Sequence, residues 1–213
     1  MQRSPNKWED HYSRKAKKDN YPARSVYKLQ EIQEKFRLIK KGNRVLDLGC
    51  APGSWTMYAS GLAGEKGEVA GIDLKKVDIR LPSNVRIYNC DILGIDDDTI
   101  SSIGNDFDVV ISDMAPDTTG NKSVDSARSY DLCMAAFDIA EKVLSPGGSF
   151  LCKIFQGDDF KKFSELVRAA YTTHRIFKPQ SSRKASKEIY IIGLGFKGSG
   201  IATERLEQRR GFE

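Results

Sequence analysis

Val45-Leu46-Asp47-Leu48 is an apolar strand pattern that runs straight into Gly49-Cys50-Ala51-Pro52-Gly53, and a helical stretch opens at Ser54-Trp55. A strand, a glycine-bearing turn and a helix in that order point to an α/β sheet with a ligand at the carboxyl end of its first strand. A second apolar strand, Val69-Ala70-Gly71-Ile72, closes on Asp73, about 20 residues past the glycines, where a ribose-binding acid is expected. The glycines do not spell GxGxxG, and no Walker lysine follows. A nucleoside without phosphates therefore fits this turn better than a diphosphate does. S-adenosylmethionine (SAM) is such a ligand.

The rest of the chain repeats the alternation. Strands are predicted near 44–48, 68–73, 85–89, 107–112, 148–154, 173–178 and 188–195, and helices near 54–63, 97–103, 125–144 and 158–170. Pro146-Gly147-Gly148 should stop the long helix and turn into a strand. Such alternation predicts a mainly parallel sheet covered on both faces. Only a short loop, about 180–187, separates the last two strands, too little for a parallel crossover, so they should form an antiparallel hairpin. The predicted fold is a Rossmann-like α/β domain with seven strands, one of them antiparallel near the edge. At 213 residues, it should be one domain over 41–197, with a basic helical extension over 1–40 packed on it and a charged, flexible tail over 198–213.

Residues 1–41 hold 12 Lys and Arg against 5 Asp and Glu, although the whole chain is only +5. A basic arm on a near-neutral body points to a polyanion, and a solvated, salt-bridged helix is the plain alternative. Lys7, Arg14, Lys15, Lys17, Lys18, Arg24, Arg183 and Lys184 are candidates for contacts to the phosphates of such a polyanion, which the family resemblance given below implies to be RNA. Tyr12, Tyr21 and Tyr27 could stack on a splayed base, with core packing an equal alternative for Tyr27. No apolar run is long enough to span a membrane, and the polar N-terminus is not a secretory signal. The four cysteines form no CxxC pair, which suits free thiols in a reducing cytoplasm. No His, Cys and Asp cluster has metal-ligand spacing, so no metal is expected, and His11 and His174 read as ordinary surface or strand residues.

Candidate chemistry falls at strand ends. Asp73 could accept from ribose hydroxyls and Asp91 from an exocyclic amine, although either could be a loop or cap carboxylate. Gly49 and Gly53 would let the backbone approach the ligand. Lys153 lies inside the core strand pattern Ser149-Phe150-Leu151-Cys152-Lys153-Ile154-Phe155, where a lysine needs a partner. Asp113 and Glu188 could each supply it. Lys28 lies on the second N-terminal helix, beside Tyr27 and Leu29. A buried ion pair for Lys153 and a solvated helix face for Lys28 are the plain alternatives.

The chain resembles the FtsJ/RrmJ family of SAM-dependent RNA ribose 2′-O-methyltransferases over about residues 10–197. The resemblance rests on Ala23-Arg24-Ser25-Val26-Tyr27-Lys28-Leu29, the Asp47–Trp55 turn, Ser112-Asp113-Met114-Ala115-Pro116, Pro146-Gly147-Gly148-Ser149-Phe150, Lys153-Ile154-Phe155-Gln156-Gly157 and Ser181-Ser182-Arg183. One departure is Ser54, where the family's bacterial heat-shock member has a second glycine. The resemblance implies a catalytic tetrad of Lys28, Asp113, Lys153 and Glu188. It implies SAM binding by Asp47, Gly49, Pro52, Gly53, Trp55, Asp73, Asp91 and Asp113, with S-adenosylhomocysteine as product. Lys153 would be the general base, with a charged Lys153 that only orients the hydroxyl as the alternative. Burial and Lys28 would lower its pKa, and Asp113 and Glu188 would oppose that shift. The implied substrate is a uridine of large-subunit ribosomal RNA, and the implied enzyme a cytoplasmic monomer. A tRNA anticodon loop is the first alternative, because Asp117-Thr118-Thr119-Gly120 resembles tRNA-modifying relatives. An RNA cap, a small-molecule substrate and a non-catalytic ribosome-assembly module are the others.

Overall fold

The computed structural model describes residues 11–183 and 185–198. Lys7, Lys184 and the predicted flexible tail past Gly198 lie outside the described residues.

Two helices come first, α1 (His11–Lys18) and α2 (Val26–Phe36). Strands and helices then alternate as β1 (Arg44–Leu48), α3 (Ser54–Ala63), β2 (Glu68–Ile72), β3 (Val85–Tyr88), α4 (Asp97–Ile103) and β4 (Phe107–Ser112). They continue as α5 (Lys122–Val143), β5 (Leu144–Phe155), α6 (Phe160–Ala170), β6 (Tyr171–Phe177) and β7 (Glu188–Phe196). One seven-stranded sheet has the order β3-β2-β1-β4-β5-β7-β6. Neighbours from β3 to β5 pair in parallel, whereas β7 runs antiparallel to both β5 and β6. The predicted reversed strand is therefore β7, slotted one place in from the edge.

Side chains alternate across a strand, so each strand feeds two cores. Leu46, Val110, Phe150, Cys152 and Ile191 join the core that contains Phe137 and Ala140 of α5 and Phe163 of α6. Val45, Val109, Ile111, Leu151, Tyr190 and Ile192 join the other core, with Leu29 and Ile32 of α2 and Trp55 and Ala59 of α3. By the same period, Asp113, Lys153 and Glu188 belong to the α2/α3 face. The described part of the N-terminal extension thus shares its core with the sheet.

Two boundaries depart from the sequence reading. The long helix starts three residues early, at Lys122, because the Asn121 side chain accepts from the N–H groups of Ser123 (3.1 Å) and Val124 (3.4 Å). Strand β5 starts at Leu144, ahead of Pro146-Gly147-Gly148. Leu144 is opposite Phe107, and the register then jumps to Ser149 opposite Val109, so the Pro-Gly-Gly segment is a bulge within the strand. The four cysteines are free, and Cys90 alone of them is not fully buried. Among the described residues, no helix is long and apolar enough to cross a membrane.

Candidate active site

The turn after β1 is built on its glycines. Gly49 has φ +77°, and a Cβ there would collide with Met114, at the end of the neighbouring β4. Gly53 has φ +103°, and a Cβ would lie 2.7 Å from Ile79 Cδ1. At both positions the positive φ strains any L side chain, and a Cβ would also force the Met114 or Ile79 side chain to shift. The Asp73 carboxylate fixes the turn from the next strand: Oδ2 accepts from the Ala51 N–H (2.9 Å) and Oδ1 from the Lys75 N–H (2.7 Å). Asp91 accepts from the Leu93 N–H (3.0 Å). Both acids are thus loop-organising carboxylates, with lone pairs to spare for a ligand.

Above these strand ends lies a crevice of about 560 Å³, a size suited to a nucleoside-sized ligand. Gly49, Asp73, Asp91 and Asp113 of the expected cofactor set line it. The other four, Asp47, Pro52, Gly53 and Trp55, are not among the residues that line it. Asp47 is buried beneath the turn, accepting from the Thr56 hydroxyl (2.6 Å). Burial pushes its carboxyl up to about 7, with Asp113 and Asp73 adding to the rise and the Thr56 bond opposing it. Trp55 is buried against Tyr190, ring centroids 6.0 Å apart, and its indole N–H donates to the Ser25 carbonyl (2.8 Å). Sequence reasoning missed the far wall of the crevice, Arg128, Asp131 and Leu132 of α5, because a helix residue there has no strand-end signature. The exposed Leu74 and Leu93 line the same crevice, next to the two acids.

The four tetrad positions meet at the α2 side. Lys153, 6% exposed, places Nζ 2.9 Å from Asp113 Oδ1 and also donates to the Asp113 carbonyl. Lys28 and Glu188, each 9% exposed, pair at 2.7 Å. Of the two partners proposed for Lys153, Asp113 takes it and Glu188 takes Lys28, so Lys28 is not on a solvated face. Burial would raise the Asp113 carboxyl, but Lys153, Lys28 and the Tyr190 and Lys153 hydrogen bonds hold it below the ordinary carboxylate value. Tyr190 is a member that sequence reasoning missed: fully buried, its hydroxyl donates to Asp113 Oδ1 at 2.6 Å. The signal was present, since Tyr190 is two residues from Glu188 on one strand and opposite Lys153 on the next.

Of the expected RNA contacts, Lys15, Lys17 and Lys18 are exposed in the last turn of α1, and Arg183 is exposed in the loop before β7. Arg24 is half-buried, and its guanidinium donates to the Ser181 carbonyl. Burial lowers the Arg24 pKa and the neighbouring Arg183 lowers it further, against Glu188. Tyr27 is buried with its hydroxyl on Asp19 (2.8 Å), so it packs rather than offering a ring to solvent.

Sheet order, the reversed β7 and the crevice at the strand ends define a Rossmann-like methyltransferase fold. The chain belongs to the FtsJ-like methyltransferase family, whose sequence profile matches residues 21–196. It is 57% identical over 192 residues to the ribosomal RNA large subunit methyltransferase E of Desulforapulum autotrophicum, covering 90% of this chain and 95% of that one. It is 52% identical over 202 residues to the enzyme of the same name from Desulfosudis oleivorans, covering 93% and 98%. A crystal structure described as that of a ribosomal RNA methyltransferase of Plasmodium falciparum superposes with a TM-score of 0.75 at 27% identity, covering 84% of this chain and all of that one.

Proposed function

We propose that the protein methylates a ribose 2′-hydroxyl of large-subunit ribosomal RNA, most simply a uridine, using SAM. One observation carries the reading: Asp113 lines the cofactor crevice and also grips the buried Lys153, so one carboxylate joins the two halves of the reaction. The crevice suits the group, since Gly49 admits close backbone approach and Asp73 and Asp91 offer acceptors to hydroxyls and an amine. When bound there, SAM supplies an activated methyl group.

The protein's own part is alignment and proton management. Lys153 Nζ spends two of its three hydrogen-bonding positions on Asp113, which fixes the direction of the third. A ribose hydroxyl at that third position is held in line with the crevice. In its neutral form Lys153 would take the hydroxyl proton on the Nζ lone pair as the O–CH3 bond forms and the methyl's bond to sulfur breaks, with S-adenosylhomocysteine leaving. Tyr190 and Lys153 keep Asp113 ionised and oriented. Lys28, paired with Glu188, lies close enough to act on Asp113, and it sets the other side of the hydroxyl's seat. The five side chains complete the site within one chain, so action as a cytoplasmic monomer is the simplest form of this reading.

The test is methyl transfer from labelled SAM to undermethylated large ribosomal subunits and to total tRNA, with the modified ribose mapped. Label in large-subunit RNA that disappears in Lys153→Ala is the expected result. Label only in tRNA would replace the substrate, and SAM binding without transfer to either RNA would overturn the enzymatic reading.

A further inference from the structure

We propose that an open groove between α1, α2 and the end of β6 is a second RNA subsite that holds an unpaired nucleotide flanking the modified one. This inference rests on the RNA-methyltransferase reading above. The groove encloses about 600 Å³, enough for a nucleotide, and it is separate from the crevice. Its lining includes Tyr12 and Lys15 of α1, Gln30, Glu34 and Lys35 of α2, and Phe177 of β6.

Cations sit on aromatic rings throughout this region. Lys35 Nζ is 4.6 Å from the Phe177 ring centroid, Lys15 Nζ is 4.4 Å from that of Tyr27, and the Arg24 guanidinium is 5.4 Å from that of Tyr12. Sites for single-stranded nucleic acid have this composition, because rings take base faces while cations take phosphates. Tyr12 and Phe177 are only half-buried, so each keeps ring surface for a base. The Gln30 amide and the Glu34 carboxylate add groups that read base edges. A carboxylate only accepts, so the pair favours a base with an exocyclic amine over uracil.

The groove is also pre-formed. The Glu31 carboxylate accepts from the N–H groups of Gln180 (2.6 Å) and Ser181 (2.8 Å), which fixes the segment after β6 against α2. The Ser181 carbonyl accepts from Arg24, and the Tyr27 hydroxyl is fixed on Asp19. A site that needs no ordering on binding keeps more of its contact energy. Helix α2 carries Lys28 to the tetrad and Gln30, Glu34 and Lys35 to the groove, so the two sites are a few residues apart on one rigid element. The lining sets Lys15 and Lys35 against Glu31 and Glu34, so its charge is balanced, and the aromatic faces beside the two lysines, rather than net charge, are what suit a nucleotide.

The test uses the full-length protein with SAM and two probes: undermethylated large ribosomal subunits for KM and kcat, and a short unstructured RNA of mixed sequence for direct binding by fluorescence anisotropy. Tyr12→Ala and Lys35→Ala together should weaken oligonucleotide affinity and raise KM for subunits about tenfold. Values of kcat at saturating subunits and of SAM affinity should stay within about twofold, and Tyr12→Phe should behave as the parent because the ring is kept. Unchanged KM and oligonucleotide affinity would overturn the subsite, as would a Tyr12→Phe defect equal to that of Tyr12→Ala. Loss of SAM affinity and of melting temperature together would make the groove structural, and overturn it too. A raised KM with unchanged oligonucleotide affinity would assign the groove to a ribosomal protein instead. If the parent transfers no methyl to ribosomal RNA, the proposed function fails, while oligonucleotide binding still decides the groove.

Discussion

Removing Lys153 Nζ takes away both the proton acceptor and the group that aims the nucleophile. Lys153→Ala should lower kcat by about 10³-fold with SAM affinity nearly unchanged, and single-turnover kinetics beside equilibrium SAM binding would check this. Near-normal turnover would remove Lys153 from the mechanism. Asp47 gives a prediction of a different kind. Its carboxyl titrates near 7 in the folded chain, against an ordinary value of 3.8. Between those two pH values only the folded state keeps the proton, so stability falls as pH rises, and above about 7 the full cost is present. Asp47→Asn removes that cost while keeping an acceptor for Thr56. The variant's gain in unfolding free energy over the parent should be small at pH 4 and largest at pH 8, on the order of a few kcal/mol, and would be read from denaturant unfolding at the two pH values. A pH-independent gain would refute the assignment. The contrast between these two residues also shows what sequence can disclose. A lysine inside an apolar strand announces itself as an exception that needs a partner, whereas an aspartate within Val45-Leu46-Asp47-Leu48 looks the same whether it faces a ligand or a helix. Only the parity of the strand, resolved by Thr56 beneath it, separates the two.

The number of strands and the reversed hairpin at the end of the sheet were legible, the second because a connection length dictates it, whereas the strand order was not read. The short loop before Glu188 left no room for a crossover, and the glycine turn fixed which strand comes first. Pro146-Gly147-Gly148 reads as the stop of the long helix and the entry to the strand, yet the helix ends before it and the segment is a bulge inside β5. What decides between them is pairing with Phe107 and Val109, which are distant in sequence. The junction of α2 and α3 was equally invisible. The Trp55 indole donates to the Ser25 carbonyl and the Ser54 hydroxyl accepts from the Ala23 N–H (2.7 Å), so the start of one helix is tied to the start of the other. Ser54, the family departure, is therefore used rather than merely tolerated. Trp55→Phe should cost about 1–3 kcal/mol, since it removes the indole N–H bond and part of a buried ring, although the Ser25 carbonyl keeps the Lys28 N–H (3.0 Å). Thermal unfolding would show a drop of several degrees, and kcat should fall with it because α2 carries Lys28. An unchanged melting temperature would show the junction to be dispensable.

Charge is distributed so that the surface around α1 is basic while the sheet ends are acidic. Exposed Lys15, Lys17 and Lys18 at the end of α1 meet polyanions with little desolvation. Changing all three to Glu should weaken RNA binding strongly at low salt and flatten its salt dependence. The slope of log affinity against log salt concentration should shrink by about one for each phosphate no longer neutralised. An unaltered slope would remove these lysines from the RNA interface, and SAM binding should not respond at all. The overall basic balance was legible from counting, but the position of each cation was not. Arg24 reads as one more positive charge, yet it is committed to the Ser181 carbonyl, a contact spanning most of the chain.

The Lys28–Glu188 pair joins a residue near the first helix to one in the last strand. During synthesis, the ribosome releases the first partner long before the second. Until β7 emerges, Lys28 lacks its carboxylate, Asp113 lacks Tyr190, and β5 lacks the neighbour that seats Lys153. A chain that lacks β7 therefore cannot assemble the tetrad, so methylation competence waits on that one strand rather than growing with length.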